Sequence, residues 1–181
     1  MDNRVLKDLE PQGVYCFFEE LCRIPRGSGN TKAASDWAVA FAKERGLAYR
    51  QDAMGNVVIW KGASPGYEDH PTAMIQGHLD MVCVKDNGVD HDFEKDPLDL
   101  YIDGDWGKAR GTSLGSDDGI AVAMAMAVLD DDSIPHPPIE AVFTVDEEVG
   151  MPGAIGLDGS DLKSRYLLNI DSEVEKVLTV G

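Results

Sequence analysis

Six side chains in this sequence have the chemistry of metal ligands or proton carriers: His78, Asp80, Asp117, Glu147, Glu148 and Asp171. They fall in the local contexts GHLDM, LGSDDG, VDEEVG and NIDSE, at the ends of separate apolar runs. Strands that each deliver a carboxylate or an imidazole at their C-terminal end bring those groups to one crevice, which is where open α/β sheets bind ligands. A histidine two residues from an aspartate, or two adjacent glutamates, carries little weight singly. Their joint placement is the signal, and a cluster of imidazole and carboxylates is a donor set that suits zinc.

The elements that must position these groups are legible from periodicity. Val14, Phe17, Phe18, Leu21 and Cys22 recur at helical spacing, and Pro25 with the run Arg26 to Asn30 then interrupts the helix. A second helix starts near Thr31, presents Ala34, Trp37, Ala38 and Phe41 on one face and stops at Gly46, which suits a left-handed cap. Leu47 to Gln51 and Val57 to Lys61 flank Met54, Gly55 and Asn56 and read as a β-hairpin; a smaller hairpin is predicted around Gly104 and Gly107. Thr72 to Gln76 is a short buried strand leading to His78, Ile139 to Val145 empties into Asp146, Glu147 and Glu148, and Tyr166 to Ile170 empties into Asp171. The stretch GIAVAMAMAVL, Gly119 to Leu129, is apolar nearly all round and reads as a helix buried between layers, starting directly after Asp117 and Asp118. Strands alternating with helices in this way predict an α/β fold with a mainly parallel central sheet flanked by helices.

Composition narrows the function classes. The 181 residues, 43% of them apolar, suffice for one ordinary domain with a real core. A formal charge of −17, from 33 acidic against 16 basic side chains, repels a polyphosphate backbone and excludes nucleic acid as an expected partner. The N-terminal residues lack the pattern of a secretory signal and no run approaches membrane-spanning length, so a soluble cytoplasmic protein without membrane attachment is expected. Cys16, Cys22 and Cys83 lie in apolar stretches without paired metal-type spacing and are expected to be buried reduced thiols. His70, His91 and His136 have no partner at useful spacing and read as exposed loop histidines.

The segments QGHLDMV, GTSLGSDDGIAVAMAMAVL, FTVDEEVGMPGA and YLLNIDSE, with EELCRIPRGSGN before them, resemble the M20 metallopeptidases, and within them the aminoacylhistidine (Xaa-His) dipeptidase group. The resemblance runs from the first helix to the final residues. It implies a zinc-peptidase-like catalytic domain that hydrolyses dipeptides of the Xaa-His type through a metal-activated bridging water. His78 and Asp171 are then ligands of one zinc, Asp117 bridges two, and Glu148 is a ligand of the second. Asp80 hydrogen-bonds the ring of His78, fixing its tautomer, and Glu147 is the general base. Manganese and cobalt also accept this ligand set. The resemblance further implies a cis bond between Asp117 and Asp118, a glycine-containing loop at Met151, Pro152 and Gly153 that allows close backbone approach, and a homodimeric full-length parent. For Asp118 itself, capping of the following helix is the simple reading.

The physical chemistry fits those roles. A bridging carboxylate can hold two ions roughly 3.5–4 Å apart, and coordination can lower the pKa of water from about 15.7 to about 7, where a nearby glutamate can relay the proton. Neighbouring residues on an extended backbone point opposite ways, so an irregular turn after Val145 is needed for Glu147 and Glu148 to divide the labour. M20 enzymes also supply a further histidine to the second metal and insert a lid and dimerisation domain, neither of which lies in these 181 residues. Residues 1–181 are therefore expected to be the N-terminal part of the catalytic domain, nearly inactive alone and prone to self-association. Two other functions stay open: an N-acyl amino acid deacylase using the same metals, and a non-catalytic acidic module that binds a metal or a protein.

Overall fold

The computed structural model describes residues 4–172, 177 and 179–180. Helix α1 (Gln12–Cys22) buries Val14, Phe17, Phe18, Leu21 and Cys22, the stripe predicted from spacing, and packs against the long helix α3 (Ser116–Asp130). Between them in sequence, α2 (Lys32–Glu44) buries Ala34, Ala38 and Phe41 and gives way to Gly46 at φ 65°, the left-handed conformation that ends many helices. It rests on the hairpin β1 (Ala48–Gln51) and β2 (Val57–Lys61). Asp52 closes that hairpin: its Oδ1 accepts from the N–H groups of Met54, Gly55 and Asn56 at 2.9, 2.9 and 3.0 Å.

The remaining strands are β3 (Ala73–His78), the small hairpin β4 (Leu100–Asp103) and β5 (Trp106–Ala109), β6 (Ile139–Thr144) and β7 (Tyr166–Asn169). A five-stranded sheet has the order β1-β2-β6-β3-β7, and β4-β5 forms a separate two-stranded sheet. The strands that lead to the candidate ligands form the expected parallel block, since β3 runs parallel to both β6 and β7. The hairpin joins its flank antiparallel through β2 and β6, which makes the whole sheet mixed. All six residues of β6 are buried, as an apolar run without alternation requires.

That run includes Glu140, whose carboxylate sits in the middle of the sheet. It is fully engaged, accepting from Lys163 N at 2.9 Å, Ser164 N at 3.0 Å, the Ser164 hydroxyl and Trp60 Nε1 at 3.3 Å, and so ties the loop ahead of β7 to the central strand. Helix α3 lies on β3, and Gly77 permits the approach: a Cβ there would stand 2.9 Å from Asp118 Oδ2 and 3.3 Å from both Ala121 and Val122.

Three expectations about side chains outside the cluster are corrected. His136 is buried, not exposed, because the turn before β6 folds it inward; its N–H donates to Ser64 Oγ at 3.1 Å and Nδ1 lies 2.8 Å from Pro137 O. His91 is half-buried against Phe93. Cys83 is exposed and Cys16 only half-buried, since the segment after β3 runs along the surface; all three cysteines are free.

Candidate metal centre

β3 carries His78 to the C-terminal edge of the parallel block, where the ring is buried with 1% of its surface exposed. Nε2 faces the crevice, 3.1 Å from Asp117 Oδ1 and 3.9 Å from Glu147 Oε2. Nδ1 points the other way, 3.1 Å from the Asp80 carbonyl oxygen and 3.3 Å from Asp80 Oδ1. A ring whose Nδ1–H is held by Asp80 presents Nε2 as the free ligand atom, which is the arrangement a metal-binding histidine needs.

Asp80 has no exposed surface. Its Oδ2 accepts from Ser28 Oγ at 2.7 Å and Glu148 N at 3.3 Å, and its Oδ1 from Glu147 N at 3.0 Å. One buried carboxylate therefore orients the imidazole and anchors the backbone of both glutamates. The irregular turn that the glutamates require is present: Asp146 adopts φ 58°, a 3-10 turn spans Glu147–Val149, and Gly150 and Met151 follow at φ 103° and 58°. Asp146 is held there by Gly29, whose N–H donates to Asp146 Oδ1 at 2.7 Å.

The close approach expected at the following loop is made by Gly153. A Cβ there would collide with the Val145 carbonyl oxygen and stand 2.7 Å from Asn56 Oδ1. Buried Asn56 bolts the two segments together, accepting from Val145 N at 3.1 Å and donating to Gly153 O at 2.9 Å.

All six residues singled out from the sequence come together. His78, Asp117 and Glu148 each offer a ligand atom, the three lying within 4.8 Å of one another, and His78, Glu147 and Asp171 do the same. Asp171 thus shares a group with His78, the co-ligand that the resemblance implies for it, with Glu147 beside them. Asp117 directs Oδ1 at His78 Nε2, 3.1 Å away. The bond between Asp117 and Asp118 is cis.

Electrostatics bind the cluster. Burial opposes a charge on His78, but the hydrogen bond and negative charge of Asp80, with Asp118 and Asp117 adding to them, raise its pKa to about 9. Burial likewise opposes ionisation of Asp80, and the donors from His78, Ser28 and Glu147 outweigh it, bringing Asp80 down to about 2. Glu148 is pushed up by burial and by the charge of Asp117.

Asp118 has a larger part than capping. It is buried, lies with Asp117 at a non-helical kink near the start of α3, and accepts the His78 backbone N–H on Oδ2 at 3.2 Å. Burial raises it to about 7, with His78 opposing the rise and Asp171 and Asp117 adding to it. Ser28 and Arg26 also touch this frame; both lie in the EELCRIPRGSGN segment that resembles the family, but nothing in it singles them out as site residues.

Comparison with known proteins places the same residues in a family context. The description "Peptidase family M20/M25/M40" matches residues 74–178, more than half of the chain, and that span includes all six clustered residues. The chain belongs to peptidase family M20/M25/M40. Among its M20 relatives, the cytosol non-specific dipeptidase of Escherichia coli (strain K12) is 44% identical over 97% of this chain and 36% of its own length. The crystal structure of the aminoacylhistidine dipeptidase from Vibrio alginolyticus superposes with a TM-score of 0.92 at 44% identity, covering 96% of this chain and 35% of that one. A tripeptidase from Staphylococcus aureus shares the fold at a TM-score of 0.74 and 24% identity, over 90% of this chain and 44% of its own. The chain spans about a third of the length of the first two relatives. No helix among the described residues is long and apolar enough to cross a membrane.

Proposed function

We propose that this M20 chain carries the metal-holding part of a dipeptidase site, with dipeptides of the Xaa-His type among its substrates. The observation that supports it is the convergence of an imidazole and five carboxylates from separate segments on one crevice, with ligand atoms in two groups that each lie within 4.8 Å. His78, Asp117 and Asp171 would hold one ion, and Asp117 and Glu148 a second. The donor set fits zinc, and manganese or cobalt by the same criterion. When bound there, such an ion polarises the scissile carbonyl and acidifies water.

The chain's own groups do the rest. Asp80 keeps the Nδ1 proton of His78 in place, so Nε2 stays available. Glu147, 30% exposed in its side chain and fixed at its backbone by Asp80, takes a proton from the attacking water and returns it to the leaving amine. The two relatives at 44% identity, a non-specific dipeptidase and an aminoacylhistidine dipeptidase, support the substrate class.

Calorimetric titration of zinc into the metal-free chain, beside the His78→Ala variant, tests this reading. Zinc binding that His78→Ala removes is the expected result. Binding indifferent to His78, or a preference for calcium, would overturn it in favour of a non-catalytic acidic module, because calcium favours six to eight oxygen ligands.

A further inference from the structure

Arg26 is among the largest fully buried side chains, 1% exposed, and lies beneath the candidate centre. Its Nη1 donates to Leu79 O at 3.0 Å and to Asp80 O at 2.9 Å, and its Nη2 donates to Gly115 O. The first two carbonyls belong to the segment that delivers His78 and Asp80. The third lies two residues before Asp117. Backbone bonds reinforce the grip: Met81 N donates to Arg26 O at 3.1 Å, and Ser28, two residues on, holds the Asp80 carboxylate.

The space for the guanidinium is made by glycines. A Cβ at Gly115 would stand 2.5 Å from Nη2 and one at Gly119 2.6 Å from it, and Gly115 also needs its φ of 64°. The glycines on either side of the Asp117–Asp118 pair thus form a cradle for Arg26. No carboxylate among the described residues makes a direct ion pair with it; burial works against its charge, and the Asp80 and Asp118 carboxylates of the cluster are among the groups that favour it. A planar fork that spans three carbonyls and stays charged when buried is a task for arginine, and a lysine ammonium cannot reproduce that geometry.

We propose that Arg26, seated between Gly115 and Gly119, is a positioning residue of the metal centre that fixes the segment bearing His78 and Asp80 against the turn bearing Asp117. The proposal rests on the reading of the cluster as a metal site. It assigns the SLGSDDG glycines a purpose beyond backbone freedom and sets Arg26 apart from an ordinary core residue.

The test is zinc affinity of the folded chain, measured by competition with a chelating indicator at a temperature where circular dichroism shows each variant folded. Arg26→Lys keeps the charge and should weaken zinc binding about tenfold, and Arg26→Met about 100-fold, the range seen when a group supporting a metal ligand is lost. Gly119→Ala, at a helical position without positive φ, should act in the same direction by pushing the guanidinium out of its seat. A purely structural Arg26 would lower the melting temperature and leave the affinity of the folded protein unchanged, and that result overturns the proposal. His78→Ala run in parallel separates the two levels: zinc binding lost in His78→Ala but unaltered in Arg26→Lys and Gly119→Ala refutes the role of Arg26 alone, whereas binding indifferent to His78 refutes the metal site and the proposal with it.

Discussion

Replacing Asp80 with asparagine should change zinc affinity by an amount that depends on pH, because Asp80 acts on His78 in two opposing ways. The carboxylate holds the imidazole in place, and losing such a partner typically costs 10–100-fold in affinity, about 1.4–2.8 kcal/mol. It also raises His78 to about 9, so in the metal-free chain at pH 7 a metal must displace a proton from the ring. One proton across the two pH units from 7 to 9 corresponds to roughly a 100-fold rise in apparent affinity for the wild type.

In Asp80→Asn the amide nitrogen takes the place of Oδ2, where Ser28 can reverse its hydroxyl and only the 3.3 Å bond from Glu148 N is lost, while Oδ1 keeps Glu147 N and the ring. The variant should fold with its ring oriented less firmly and titrating closer to the ordinary histidine value. At pH 7 relief from proton competition offsets the loss of orientation, and the two proteins should agree within about tenfold. At pH 9 the offset is gone and the variant should be about 10–100-fold weaker. Competition titrations with a zinc indicator at both pH values measure this. A ratio of wild-type to variant affinity that is the same at pH 7 and pH 9 would refute the account of Asp80.

Other consequences are open to simpler measurements. The folded-state pKa of His78, about 9, lies above its unfolded value near 6.5, so its contribution to stability is complete below pH 6.5 and lost as pH rises towards 9. Asp118, raised to about 7, has the same sign between about pH 4 and 7, whereas Asp80, lowered to about 2, contributes above about pH 4 and is lost below it. The metal-free chain should therefore melt highest in mildly acidic buffer, and a melting temperature that climbs steadily from pH 6 to 9 would contradict this. Gly153→Ala should cost about 1–3 kcal/mol in urea unfolding, since the new methyl overlaps the Val145 carbonyl and presses on Asn56; an unchanged midpoint would show that the loop yields freely. Tyr166, Leu167 and Leu168 on edge strand β7 are all exposed, so sedimentation should show self-association that Leu167→Lys reduces, and a monomer at all concentrations would exclude the strand as a contact.

Much of this architecture is legible locally. Apolar runs of strand length ending in acid, a helix apolar all round and turn residues at Gly46 and Met54 to Asn56 each carry their own signal, and the structure has an element at each. What is not legible depends on contacts between distant segments. Nothing near Ile139 indicates that β6 will insert between β2 and β3, which places the hairpin antiparallel beside the parallel block. Nothing in the run after Pro25 marks Arg26 as the residue whose three carbonyl acceptors lie at positions 79, 80 and 115. His136 and Cys83 fail for the same reason, since local polarity does not report which side of a loop the rest of the fold will cover.

The site itself follows from strand register. Gln76 pairs with Asn169, so His78 and Asp171 each lie two residues beyond a shared rung, and His78 pairs with Thr144, three residues before Glu147. Because side chains alternate along a strand, a slip of one residue would send every group of β3 to the opposite face. His78 would then meet the space now filled by Asp118, Ala121 and Val122, which admits only the hydrogen of Gly77. The Gly-His pair thus fixes its own register: the glycine can lie only under α3, and the imidazole is left to face Asp117. Asp118 closes the arrangement by accepting the His78 N–H, so the backbone that presents the ring is tied to the residue next to its nearest carboxylate neighbour. Positions that carry chemistry and positions that merely pack are therefore one device here, and the close-packed glycines at 77, 115 and 119 are as much a condition of the cluster as its acids.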